Sequence, residues 1–189
     1  MFGWLAARSS LLCRRAPRML ASRRFRCITP HTLISALPGL GSVLYLHATP
    51  AGVTPNVSTP GLLVAQPAFA PLLDVRWLVA VSVVTDDGPR EWCECVDRTG
   101  RALARWHLLP DTDYLAWDAL TASCLPDSDT SSPVETQPLR PDQASVVSFR
   151  LRSIAGMLML EQEPRAALSP LGDRIAARIA HAESAPLQS

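Results

Sequence analysis

Two of the four histidines, His47 and His107, stand where an imidazole can act on a ligand. His107 belongs to the run from Arg101 to Leu109. Alternation there puts Ala102, Ala104, Trp106 and Leu108 on one side of a strand and Arg101, Leu103, Arg105, His107 and Leu109 on the other. Two guanidiniums beside an imidazole define a chemistry: arginine grips a carboxylate through paired hydrogen bonds, and a neutral imidazole offers a lone pair to a metal. A solvated polar sheet face fits the same pattern. His47 closes an apolar run and precedes a Pro/Gly-rich stretch, which suits either a ligand on a loop or an ordinary strand end. His31 and His181 fall in end regions.

Other reactive patterns are thinner. Cys93-Glu94-Cys95 brings two thiols to one strand face without the second ligand pair of a zinc site, so packing is the simpler role. Five irregularly spaced cysteines do not make a disulfide framework and suit reduced thiols in a cytosol. The sequence contains no glycine-rich phosphate loop, no HExxH and no GxSxG, which removes support for nucleotide hydrolysis, zinc proteolysis and nucleophile-elbow chemistry. Four of the five tryptophans lie in 77–117, where they serve as core or as the wall of a cofactor site.

These residues must be positioned by a modest chain. At 189 residues, with 48% hydrophobic and 19% charged side chains and a formal net charge of +1, it has material for one core with tails. That composition excludes wholesale disorder and a nucleic-acid-coating role. No uninterrupted apolar run reaches the roughly 18–20 residues that span a bilayer, so no membrane association is expected. Residues 1–26 hold seven arginines, and no acidic residue precedes Asp74. Residues 1–28 therefore read as a basic leader without fixed structure, either an organelle transit segment or an artefact of the start site. The expected location is cytoplasmic, with mitochondrial as the alternative.

A short helix ending at Pro38-Gly39 and a strand over Ser42–His47 are expected first, then a Pro-rich loop over 48–61 and a strand at Leu62–Ala65. Residues 77–109 predict an antiparallel meander with turns at Asp86-Asp87-Gly88 and at 97–100. Asp111 or Thr112 is expected to cap a helix with an apolar stripe of Tyr114, Trp117, Leu120 and Cys124. Residues 126–145 read as a flexible linker. The run 146–160 is ambiguous between helix and strand. A last helix has Ser169 as N-cap, Pro170 at its first position and Leu171, Ile175 and Ile179 on one face, expected to dock weakly.

The order of segments then suggests a family. Thr32-Leu33-Ile34-Ser35-Ala36-Leu37-Pro38-Gly39-Leu40-Gly41-Ser42-Val43-Leu44 resembles the "LLxALPxLGxVM" opening of the amino-terminal repeat in bacterial haem-utilisation proteins of the haemin-degrading HemS/ChuX-like family. Leu73-Asp74-Val75-Arg76-Trp77 resembles its "DLRxFxxxW" segment, with shortened spacing. The stretch 95–108 is similar to "FFDxxGxAVHKVYL", and 111–120 to "xSDxxAWxAL". The resemblance spans residues 32–125, about half of the chain. It implies an α+β fold built on a twisted antiparallel sheet with helices packed on it, and intracellular haem binding, delivery or degradation in haem-iron utilisation. It carries over no iron ligand by position. Where the family has Val-His-Glu after the "LGxVM" strand, this chain has Thr54 at the histidine position, and residues 126–189 are too short for a second repeat.

The expected organisation is therefore a basic leader (1–28), a haem-utilisation-like α+β domain (29–125), a flexible linker (126–145) and a helical C-terminal segment (146–189). His107 and His47 are candidate iron ligands, and Arg101 and Arg105 candidate propionate holders. The alternative is a truncated or degenerate repeat that acts only as a protein–protein interaction module, with a homodimer through a sheet edge.

Overall fold

The computed structural model describes residues 21–49, 60–85, 88–122, 124–126, 136–164 and 168–188. Its elements in chain order are β1 (Ala21–Cys27), α1 (Pro30–Ala36), β2 (Ser42–His47), β3 (Leu62–Val64), β4 (Trp77–Thr85), β5 (Gly88–Val96), β6 (Ala102–His107), α2 (Tyr114–Thr121), β7 (Leu125–Pro126), β8 (Gln143–Ile154), β9 (Met157–Gln162), α3 (Pro170–Ala182) and β10 (Leu187–Gln188). Short 3₁₀ turns over Leu37–Leu40 and Pro67–Asp74 join α1 to β2 and β3 to β4. The strands form one largely antiparallel sheet ordered β3-β9-β8-β2-β6-β5-β4-β1-β7, with β10 alongside β8. The fold class is α+β, and the meander β4-β5-β6 stands where the alternation of residues 77–109 predicts it.

Three expectations need correction. Residues 21–27, set aside with the leader, form β1, which pairs along its whole length with β4, from Ala21↔Val83 to Cys27↔Trp77. Apolar Phe25 sits among the arginines and faces Val79, which makes a strand more favourable than solvation. The segment 146–189, expected to be helical, instead starts within a hairpin: β8 and β9 turn at Ala155-Gly156, both with positive φ (51° and 81°), the backbone a two-residue hairpin requires. Part of the linker is ordered too, since Gln137 pairs with Arg101 and Leu139 is buried. Residues 1–20, 50–59 with Thr54, and 127–135 lie outside the described residues.

The sheet has two unlike faces. One carries Tyr45, Leu78, Cys93, Cys95, Trp106 and Phe149 against α1, α2 and the 3₁₀ turns. Leu44, Leu46, Ala144 and Val146 on the other face lie under α3. Strand β2 sits between β6 and β8 and is buried on both faces from Ser42 to His47.

Helix α3 starts as its sequence predicts, with Ser169 as N-cap accepting from the Gly172 amide at 3.0 Å and Pro170 following. Its apolar contribution is small. Ala176, Ile179 and Ala180 are buried, while Leu171 is 52% exposed. Polar ties compensate at both ends. Asp111, expected to cap α2, instead accepts from the Ser169 amide (2.8 Å) and hydroxyl (3.0 Å), and Asp113 caps α2 by accepting from the Ala116 amide at 2.9 Å. Thr112 donates to the Ser42 carbonyl at 2.7 Å. Buried Gly172 permits the Asp111 approach, because a β-carbon there would overlap the carboxylate. Gly172→Ala should therefore lose, through overlap with Asp111, more than the roughly 1 kcal/mol that alanine gains in a helix interior. Denaturant titration should show net destabilisation, and a stabilised variant would contradict this account of the α3 docking.

Candidate functional site

The centre of the α3-facing surface is polar. Arg105 on β6 is only 8% exposed and cannot shed its charge. Its Nε and Nη2 donate to Oε1 of Glu94 on β5 at 3.1 and 2.9 Å, and its Nη1 donates to Oε1 of Glu183, just past α3, at 2.7 Å. Glu94, itself 6% exposed, also accepts from the Trp92 indole at 3.1 Å and lies 3.6 Å from Arg23 of β1. The Trp92 ring lies against the Arg105 guanidinium, 5.4 Å from its centroid. The register requires this cluster, because Glu94 is directly opposite Arg105 and Trp92 directly opposite His107.

His107 is 3% exposed, lies tilted at 39° against Trp92 with 5.4 Å between centroids, and has no hydrogen-bond partner at either ring nitrogen among the described residues. Burial, reinforced by the nearby Arg105 and Arg90 charges, lowers its pKa to about 3, so the ring is neutral throughout the physiological range. A neutral imidazole with both nitrogens unpartnered retains an unused lone pair, and a buried polar atom left in that state calls for an explanation.

The other candidates lie elsewhere. His47 is 5% exposed on the opposite face: it sits directly across from Ala104, its ring is 5.4 Å from Tyr45, and its Nδ1 is 3.5 Å from the Ala48 carbonyl. Burial lowers its pKa, partly offset by that carbonyl and by Asp142. The two imidazoles therefore cannot serve one metal from the same side of the sheet. Arg101 does not share the Arg105–His107 face of β6. It is exposed just before the strand, its amide donating to Asp97 Oδ1 at 3.1 Å. It lies roughly 20 Å along an extended chain from His107. The alternation breaks because β6 carries one extra residue against β5, with Cys95 opposite Ala104 but Val96 opposite Ala102. The bulge sends Ala102 to the α3 side and Leu103 to the other, the reverse of the predicted assignment.

Cys93 and Cys95 are fully buried with thiol pKa values pushed well above normal by burial, so they pack as small protonated side chains. Among the described residues no group of three or more His, Cys, Asp or Glu could hold a metal ion. No helix among them is long and apolar enough to cross a membrane. The sequence reading assigned Glu94 and Glu183 no role and counted Trp92 only among the four tryptophans of 77–117. The signal for Glu94 was present: a carboxylate inside a cysteine-flanked strand needs a cation on the neighbouring strand, and Arg105 is the only arginine within the β6 strand.

With this geometry in hand, comparison with known proteins gives a short result. The likeness is structural only. No family model matches the chain, and no curated protein matches it. Solved structures superpose on part of it. The heme-degrading enzyme ChuS of Escherichia coli O157:H7 does so with 16% identity and a TM-score of 0.41 over 62% of this chain and 39% of its own. Holo-PhuS, a heme-binding protein from Pseudomonas aeruginosa, gives 20% identity and a TM-score of 0.39 over 82% and 40%. A second ChuS structure, described as an E. coli heme oxygenase, gives 19% and 0.37 over 63% and 39%. The chain thus spans about two fifths of the length of these structures.

Two predictions follow from the cluster's geometry. Glu94→Gln removes the more deeply buried of the two carboxylates that balance Arg105, leaving Glu183 alone, and should cost about 3 kcal/mol. Glu183→Gln should cost distinctly less, since that side chain is 29% exposed. Denaturant unfolding of both variants measures the order, and equal losses would contradict it. His107 has a folded pKa of about 3, below its unfolded value of roughly 6.5, so the unfolded chain binds the extra proton between those limits. Its contribution to stability is complete above pH about 6.5 and is lost as pH falls towards 3. In His107→Phe the slope of unfolding free energy against pH, between about pH 5 and 6.5, should be shallower by nearly one proton; an unchanged slope would refute the assignment.

Proposed function

We propose that the chain binds haem and hands it on, within intracellular haem-iron utilisation. The observation that carries this reading is His107: a buried imidazole, held neutral, with neither nitrogen engaged among the described residues, beside an arginine and on a strand whose sequence resembles the haem-utilisation repeat. These residues fit the group chemically. Neutral imidazole is the form that ligates iron, and a guanidinium is suited to a propionate. Haem, when bound, would supply iron-centred ligand and redox chemistry.

The chain's own residues have distinct tasks in this reading. His107 would hold the iron through its lone pair, Trp92 lies tilted against the imidazole and limits its rotation, and Arg105 would hold a ligand carboxylate in place of that of Glu183. That exchange requires α3 to lift, and α3 is suited to yield because small residues and polar ties, more than apolar area, hold it down. One lone pair and one guanidinium suffice for binding and delivery, so transfer is preferred over turnover. His47, on the other face, has no part. The location that goes with this role is the cytoplasm, with a mitochondrial alternative.

A second reading, a ligand-free interaction module that dimerises through a sheet edge, is favoured by the internal pairing of Arg105 and by the edge strand β3, where Leu63 is 37% exposed. Haemin titration separates the two. Expected is a saturable Soret change at one equivalent, weakened about tenfold or more in His107→Ala and unchanged in His47→Ala. A featureless titration, with a dimer on size exclusion, would replace the haem reading with the module.

A further inference from the structure

A cleft lies at the far end of β6, remote from His107. It has a volume of about 420 Å³ and is framed by Arg101, Arg140, Gln137, Pro138, Leu139 and Ala48, with no acidic side chain among the described residues that line it. Arg101 and Arg140 are both exposed, and among the described residues neither guanidinium has an ion pair or a hydrogen bond. The nearest carboxylates in sequence are already engaged by other donors. Asp97 accepts from the Thr99 amide and hydroxyl, both at 2.7 Å, and from the Arg101 amide, while Asp142 accepts from the Thr49 amide at 2.8 and 3.0 Å.

The frame itself is fixed. The Gln137 amide donates to the Gly100 carbonyl at 2.9 Å and the Ala102 amide to the Gln137 carbonyl at 3.2 Å, while Leu139 is buried in the α3 cluster. Two arginines therefore line a small recess whose other lining is partly apolar. Two planar cationic donors with no counterion among the described residues suit a ligand with oxyanion oxygens and a compact organic body.

We propose that this cleft binds a small organic oxyanion, a phosphate ester or a carboxylate, through Arg101 and Arg140. The site does not rest on the haem reading, since it stands at the end of β6 remote from His107.

The test is an amide NMR titration of the full chain at fixed ionic strength, with inorganic phosphate in one arm and succinate in the other. Saturable shifts at Ala102, Gln137 and Leu139 are expected, weakened roughly tenfold in Arg101→Gln and in Arg140→Gln. They should be unaffected by Arg174→Gln, which removes the same charge from the exposed side of α3. Saturation by phosphate alone assigns a phosphate ester, and by succinate alone a carboxylate. Absence of saturation in both arms, weakening in only one of the two cleft variants, or equal weakening by Arg174→Gln would overturn the proposal. Both cleft positions are exposed, so unchanged thermal unfolding of the variants confirms that their fold is intact.

Discussion

A permanently charged guanidinium under a helix is the constraint around which this fold is arranged. Arg105 cannot be neutralised, so its burial is tolerable only while Glu94 and Glu183 stay within hydrogen-bond reach. Glu94 in turn requires β5 to hold its register against β6, and Arg23 brings β1 to the same carboxylate. Four elements thus meet at one charge cluster. The apolar clusters on either side, Phe25 with Val79 and Val81 and Leu44 with Ile179, are separated by it.

The polar centre also explains why the two sheet faces differ in kind. On the α1/α2 face, Tyr45, Phe69 and Phe149 contact one another at 5.2–6.2 Å and the Tyr45 hydroxyl donates to the Ala68 carbonyl at 2.8 Å, so that core is aromatic, with the Trp106 indole N–H its buried donor without a partner among the described residues. On the α3 face the helix contributes mainly alanines, with Ile179, against the leucines of the sheet, and ion pairs add to the contact. The buried imidazole with a free lone pair thus lies on the face covered by the element with the smaller apolar contribution.

Much of the architecture was legible in the sequence. Alternation over 77–109 gave the meander, and Ser169-Pro170 gave the start of α3, because both signals are local. The motif order 32–125 implied the sheet-with-helices class that the chain adopts. What was missed depends on partners distant in sequence. The seven residues of β1 look like a basic tail until Phe25 is set against Val79, and β8 is ambiguous until β2 supplies its edge. The same holds for the site. Arg105 and His107 were found together, but Arg101 was misplaced, since a bulge in β6 cannot be seen from one strand alone. Glu183, 78 positions from Arg105, gave no local sign of its role.

The pairing of β2 with β8 bears on how the chain is assembled. Ser42 bonds to Ser148 across a separation of 106 residues, and β10, closer still to the end, docks on β8. Closing loops of that span is entropically slow. During synthesis the middle strand, apolar from Val43 to Leu46, would wait with one margin bare until most of the polypeptide had left the ribosome, so the nascent chain would carry a sticky, half-paired intermediate that favours prompt completion or a chaperone's cover.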